Sequence, residues 1–345
     1  DAYAARGRVQ GRGSLEWSGE QRWKFDVDAR ALALAELRKG LDGRLDARGT
    51  IEGAGLTTEA PWTARLASMS GRMFGRPLTG RGEVAHRDGV FELRRVRIEN
   101  GGSFADVNGR VGAEALDLDW NLDLRTLAVV ADGMAGRLVS RGRATGRPTR
   151  PQLRATATLR DFRYGDVAVD EANVEADIDS SDRRPSRATI EAGPATSGGV
   201  AFDTLRAGLS GTMREHELTF AFSSPGDARR RIAEFRGGLR AQGALEFEPL
   251  SWAGDLEQAD VVFPDGEARL IQPASLVLGP ALQRASPICL RTAEDARACV
   301  EGEHRPSPQS WRVIFSAQDW PLQRLLRALL GWREFDGRLQ ASGWA

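Results

Sequence analysis

Three histidines, two cysteines and a line of alternating aspartates are the residues whose types could do chemistry. His86, His216 and His304 stand far apart, and none has a second ligand at a spacing such as His-x-x-x-His. No shared pocket is legible that would unite one of them with a serine and an aspartate. The expectation is three isolated surface histidines. Asp117, Asp119 and Asp123 sit in the stretch Leu116-Asp-Leu-Asp-Trp-Asn-Leu-Asp-Leu124. A calcium site or a glycosidase pair needs carboxylates that converge. Alternation instead spreads them along the wet side of a strand. The glycine-rich runs Gly7–Gly13 and Gly49–Gly55 precede no helical pattern, and a phosphate cradle needs a strand-to-helix turn. A nucleotide site is therefore excluded. Cys289 and Cys299 have nine residues between them and only His304 nearby, too few ligands for tetrahedral zinc. They are either a local disulfide, the preferred reading, or two unpaired thiols. The chain-entropy treatment gives ~2.8 kcal/mol for closing so short a loop. No catalytic residue, metal or cofactor is expected.

With no reaction to position, the elements themselves carry the information. Period-two alternation dominates. Leu116–Leu124 alternates for nine residues, about 30 Å of strand. Trp23, Phe25 and Val27 repeat the pattern, as do Leu153 to Leu159, Val174 to Ile178, Leu218 to Phe222, and Leu245 with Phe247. One greasy face and one solvated face is the antiparallel habit. Helical pattern is scarce. Ala31–Leu41 could form a short helix. Pro321–Trp332 places five leucines on one face, with Asp319 at or before the N-cap and Gly331 at the end. That helix is expected to pack on a rim of the sheet. Weak helical pattern also touches 202–212 and 226–235. Polar, breaker-rich loops are expected at Gly101-Gly102, Ser180–Ser186 and Gly193–Gly199.

Composition agrees. The 345 residues are 41% hydrophobic and 28% charged, which excludes wholesale disorder, and no apolar stretch is long enough for a bilayer-spanning helix. Lys+Arg and Asp+Glu are 48 each, so no basic surface exists to bind nucleic acid by counterion release. Glycine, at 39 residues, is abundant, as expected for many turns between short strands. The chain begins at Asp1 with no leader pattern and is read as part of a longer protein.

A loose internal repeat runs through the chain. Gly43-Arg-Leu-Asp-Ala-Arg-Gly49, Gly136-Arg-Leu-Val-Ser-Arg-Gly142 and Gly337-Arg-Leu-Gln-Ala-Ser-Gly343 share one pattern. Upstream of each lies a strand opening with a tryptophan (Trp23, Trp120, Trp311), then a leucine-rich connector. Pro61 and Pro151 follow the first two. The expected architecture is mainly β: one elongated, curled, repetitive antiparallel sheet with one or two short amphipathic helices. Residues 1–285 form a repetitive groove. Residues 286–345 hold the cysteine loop, the helix and the start of the next repeat.

These residues resemble the TamB family of the AsmA-like superfamily. The resemblance rests on the recurring Gly-Arg-Leu strand and most of all on the block from 287 to 343. There Pro287-Ile-Cys289-Leu, Cys299-Val-Glu-Gly, Trp311 to Phe315, Asp319-Trp-Pro-Leu-Gln and Asp336-Gly-Arg-Leu follow in order. It implies a long periplasmic protein of Gram-negative bacteria, anchored in the inner membrane outside this chain, which would be a middle section. It implies a taco-like groove that conducts phospholipid acyl chains between the membranes, and a partner, the Omp85-type barrel TamA, bound through regions outside this chain. A scaffold role in outer-membrane protein assembly and secretion is the alternative. The groove-lining candidates are Phe25, Val27, Leu118, Trp120, Leu122, Leu124, Leu153, Ala155, Leu159, Val174, Ile178, Phe220, Phe222, Phe247 and Phe315.

Overall fold

The computed structural model describes the chain except residues 1, 5–6, 20, 38–40, 58, 132, 227–233, 248, 264–265, 308, 322–337 and 345, and except the side chains of a few more, Phe247 among them. Two units divide it, Asp1–Gly165 and Asp166–Ala345.

The first unit is an antiparallel meander. Its strands are β1 (Ala2–Ala4), β2 (Gly7–Leu15), β3 (Arg22–Ala33), β4 (Gly43–Ala54), β5 (Trp62–Met73) and β6 (Arg76–Arg87). They continue as β7 (Val90–Asn100), β8 (Ser103–Val111), β9 (Leu116–Leu124), β10 (Ala135–Arg147) and β11 (Arg150–Tyr164). Each pairs with the next. Two-residue turns join several of them. Asp88-Gly89 and Gly101-Gly102 have positive φ at both positions, the mirror-image turn whose twist matches a hairpin and which glycine makes accessible.

Directly opposed residues share a face, so the register builds the faces residue by residue. Phe25 faces Ile51, Ile51 faces Ala64, and Ala64 faces Val84. Farther along, Val107 faces Trp120, Trp120 faces Gly142 and Gly142 faces Ala155. The result is one apolar face, called inner below, and one charged face, called outer.

The register slips once in every pair from β3–β4 to β7–β8. In each case β3, β5 or β7 carries the extra residue. A bulge bends its strand and increases its twist. Three bulged strands, felt at the same height across five pairings, make a crease across the sheet. At two of them the displaced residue takes positive φ, Ala31 at 53° and Arg95 at 50°. The amide freed there is taken up by the neighbouring strand: Ala31 N–H donates to Asp46 Oδ1 at 2.7 Å and Arg95 N–H to Asn108 Oδ1 at 2.6 Å.

The second unit holds β12 (Val167–Asp179), β13 (Ser186–Ala192), β14 (Ala195–Ser197), β15 (Val200–Phe202), β16 (Thr204–Gly211), β17 (His216–Ser224) and β18 (Phe235–Phe247). Then come β19 (Leu250–Phe263), β20 (Gly266–Leu270), β21 (Ala274–Leu278), β22 (Gln283–Thr292), β23 (Arg297–Pro306), β24 (Gln309–Pro321) and β25 (Arg338–Trp344). All pairings are antiparallel, and β20 and β21 act as one interrupted strand, both lying between β19 and β22. Again one face is apolar, running through Val174–Ile190, Ala207–Phe220 and Leu239–Ala259.

Both buried clusters lie on inner faces. Leu34, Leu45 and Leu78 form one, with Leu32, Leu41, Met69 and Met73 packed on it. Ala241, Trp252, Leu256 and Ala274 form the other. Leu34 comes from the short helix α1 (Leu34–Leu37), which folds back over the inner face at one end of the strands.

Several expectations change. The helix expected over Ala31–Leu41 shrinks to Leu34–Leu37, because β3 absorbs Ala31–Ala33 by bulging rather than ending. Asp319 caps no helix: it sits inside β24 with φ 52° at another register slip. Pro321 closes that strand, and the rest of the expected helix lies outside the described residues. Thr204–Gly211 is a strand, as its cross-strand pairing with β13 and β17 dictates. Of the region 226–235, residues 227–233 are outside the description and Phe235 begins β18. Trp120 stands in the middle of β9 rather than opening it, and Ala195–Ser197, expected as loop, pairs with β12 and β15.

Candidate functional site

Each unit presents an inner face along which apolar side chains run from strand to strand. The candidates stand on some strands of each meander. Phe25 and Val27 lie on β3, Leu118, Trp120, Leu122 and Leu124 on β9, and Leu153, Ala155 and Leu159 on β11. In the second unit Val174 and Ile178 lie on β12, Phe220 and Phe222 on β17, and Phe315 on β24. Phe247 lies on β18, its side chain outside the described part. Of the other fourteen, none is fully buried, and Phe315 remains 47% exposed. A second layer of protein would have removed them from water. The described buried apolar side chains are fifteen, eight of them alanine, too little to be the interior of a sandwich.

The sequence reading missed much of this face. Ile51, Ala64, Leu66, Val84, Val96 and Ile98 belong to it and flank the crease. They line a concavity of about 350 Å³ together with Val27, Ala29, Ala47 and Met69. Glycines deepen it. A Cβ on Gly49 would stand 2.2 Å from the Arg65 carbonyl oxygen, and one on Gly82, at φ 153°, 2.8 Å from Val96 Cα. Elsewhere glycines make room for rings. A Cβ on Gly142 would lie 2.3 Å from Trp120 Cζ2, and one on Gly243 2.5 Å from Trp252 Cζ2. The rings lie flat across the sheet over these glycines, which is how an aromatic neighbour compensates a bare backbone.

The outer face is a lattice of ion pairs. Lys24 meets Glu52 at 3.1 Å, Glu52 meets Arg65 at 3.3 Å, Arg65 meets Glu83 at 2.8 Å and Arg94 bridges Glu83 and Glu92 at 2.9 and 2.7 Å. The hydrogen bond from Arg65 holds the Glu83 carboxyl below its ordinary range, and that from Arg137 does the same to Asp123. Asp117 pairs with Arg143 at 2.9 Å. The aspartates of β9 are thus a wet, paired face with no convergence, and no metal-binding group of His, Cys, Asp or Glu occurs among the described residues. Cys289 and Cys299 oppose each other on β22 and β23 with their Sγ atoms bonded at 2.13 Å. Their neighbours Ile288, Leu290, Ala298 and Val300 face inward, so the disulfide lies on the outer side.

Two histidines are not on the surface. His216 is buried, its Nε2 accepting from Trp252 Nε1–H at 2.8 Å. Indole can only donate, so the proton sits on Nδ1, which donates to the Thr212 carbonyl at 3.0 Å. His86 is buried in a row of rings, stacked with Trp62 at 5.9 Å and 4.8 Å from Phe91. His304 stacks on Trp311 at 3.6 Å. A single residue gave no sign of this, because the ring partners arrive from the neighbouring strand.

The repeat acquires a structural meaning. Each Gly-Arg-Leu strand, β4, β10 or β25, pairs with the strand that carries the preceding tryptophan. Gly43 and Gly136, the first glycines of the motif, both take positive φ, 144° and 125°. The leucine-rich connectors of the first two bury Leu34 and Leu127.

Such a molecule defines a class: antiparallel sheets with one apolar face left uncovered and one face closed by ion pairs. The chain belongs to the TamB family, residues 2–345 matching the description TamB, N-terminal domain. No solved structure matches it. Membership assigns the chain to the translocation and assembly machinery of the cell envelope; the family as a whole is a periplasm-spanning transport and assembly component that works with an Omp85 partner. No helix among the described residues is long and apolar enough to cross a membrane.

Proposed function

We propose that the inner faces carry phospholipid acyl chains between the inner and outer membranes, as a segment of a bridge-like transfer protein anchored to the inner membrane outside this chain and coupled to a TamA-type barrel. The observation that supports this is an apolar face that repeats strand after strand and is nowhere fully buried among its candidates. Two acyl chains of about 30 CH₂ groups face a barrier near ~25 kcal/mol in bare water at ~0.8 kcal/mol each. A greasy face of this kind removes most of it without catalysis. The fifteen candidates, from Phe25 to Phe315, would be its wall.

The test is a charge on the wall of the full-length protein. Leu122→Asp and Phe222→Asp should abolish lipid transfer in a reconstituted or cellular assay. The outer-face control Asn121→Asp should leave it intact. Circular dichroism separates loss of transfer from loss of fold. Unchanged transfer by folded Leu122→Asp overturns the reading.

The second reading, a scaffold for outer-membrane β-chains, draws on the edge of β2. The strand β1 pairs with Gly7–Val9 of it, and strand addition along such an edge is how a scaffold would hold a β-chain. A proline within Gln10–Leu15 should block such pairing and spare lipid transfer.

A further inference from the structure

The Cys289–Cys299 disulfide lies on the outer side of the second unit, both cysteines half-buried, away from the buried cluster around Trp252. The Cys289 carbonyl turns away from β23 and accepts from Ile271 N–H at 2.9 Å. In an antiparallel ladder the N–H and C=O of one residue point the same way, so Cys289 and Cys299 are a non-hydrogen-bonded pair. The sulfurs are the bond that joins them across this rung. The ladder is irregular beside it. β22 slips on β23 between Ala285 and Ile288, and the strand on its other side is interrupted between β20 and β21.

A thiolate attacks a disulfide in line, from the side opposite the sulfur that leaves, so access and the leaving group decide which sulfur is taken. Both differ here. Past Cys299 the outer row continues to Ser316 and then Ser342, small and exposed. Past Cys289 lies the chain at Ile271. Two places along β22 from Cys289 stands Arg291, opposed by Arg269 on one neighbouring strand and Arg297 on the other. Arg269 meets Glu267 at 2.9 Å, and Arg291 lies 3.7 Å from the exposed Asp295. Cys299 has Arg297 on one side of it and Glu301 on the other. A thiolate is stabilised beside arginine, so Cys289 is the better leaving sulfur. We propose that this disulfide is an exchange site for a dithiol protein of the thioredoxin-like class, attacked at Cys299 Sγ. The partner's thiolate bonds to Cys299 Sγ while the Sγ–Sγ bond breaks, its electron pair leaving on Cys289 as a thiolate beside Arg291. The partner's second thiol then displaces Cys299. The partner ends as a disulfide, the chain as two thiols, and the two protons the partner loses end on the two cysteines. The rung is then free to open beside the slip.

The test uses the folded full-length protein and a reduced thioredoxin whose resolving cysteine is replaced by serine, which traps the mixed disulfide. After an acid quench, mass spectrometry maps the adduct. It should sit on Cys299. Ser316→Phe, which fills the approach, should slow its formation about tenfold, whereas Ser316→Ala should leave the rate unchanged. Circular dichroism shows that the variants keep the fold, and the mapping on the unaltered protein needs no variant. An adduct on Cys289, or an unchanged rate in folded Ser316→Phe, overturns the proposal. So does a folded protein that forms no adduct while its urea-unfolded chain is trapped, for the bond is then a closed structural staple.

Discussion

At the scale of single residues, this sheet is governed by which side chains leave room for others. Gly142 and Trp120 are one fitted pair: Gly142→Val drives a Cβ into the indole and should destabilise the protein by about 1–3 kcal/mol, the usual cost of overpacking, read in thermal unfolding. Gly11, where an added Cβ meets nothing within 4 Å, is the control and should tolerate alanine. Charge acts on the other side. Hydrogen bonding from Arg65 lowers the Glu83 pKa in the folded chain. Its contribution to stability is then complete above the ordinary glutamate value and fades as pH falls through the lowered one. Glu83→Gln should unfold at lower denaturant than wild type at pH 7, and the two should converge as pH falls through the lowered value. Identical midpoints at pH 7 would show the pair to be inert, as many exposed pairs are. Alternation made the faces legible at this scale: the wet aspartates and the greasy leucines of β9 stand where period two puts them. The histidines were not legible, since burial of His216 depends on Trp252, thirty-six residues away.

At the scale of elements, the bulges decide the form of the first unit. At Ala31 and Arg95 the freed amide has a partner one strand over, and removing it should loosen the bend without unfolding the sheet. Asp46→Ala should cost about 1 kcal/mol, the net worth of such a bond, and speed amide exchange at Ala31 more than at Phe25. Leu34→Ala should cost more, about 2–5 kcal/mol, because it empties a buried position in a small cluster. The bulges explain why β5 and β7 went unread. In Trp62-Thr-Ala-Arg-Leu66 alternation runs cleanly, then Ala67 and Ser68 intervene before Met69. In Phe91-Glu-Leu93 it stops at Arg94-Arg95 and resumes at Val96. A search for unbroken period two discards such strands. A search that permits one slipped residue recovers them. The helix over Ala31–Leu41 starts later than expected for a related reason: slipped alternation in Ala29–Leu32 imitates helical spacing over a few residues, while hydrogen bonds to the neighbouring strand hold Ala31–Ala33 in β3.

For the molecule as a whole, family membership and the uncovered face point the same way, and the composition agrees: balanced charge, abundant glycine and few aromatic residues suit a long sheet that is greasy on one side. The crease in the first unit has a consequence for growth. Only alternate strands carry the extra residue, so the smallest block that reproduces the bend is a hairpin with one slipped and one regular strand. Splicing in another such block would add length and leave the cross-section alone. Reach and bore would then be separate variables, the first set by the number of hairpins and the second by where in each the slip falls.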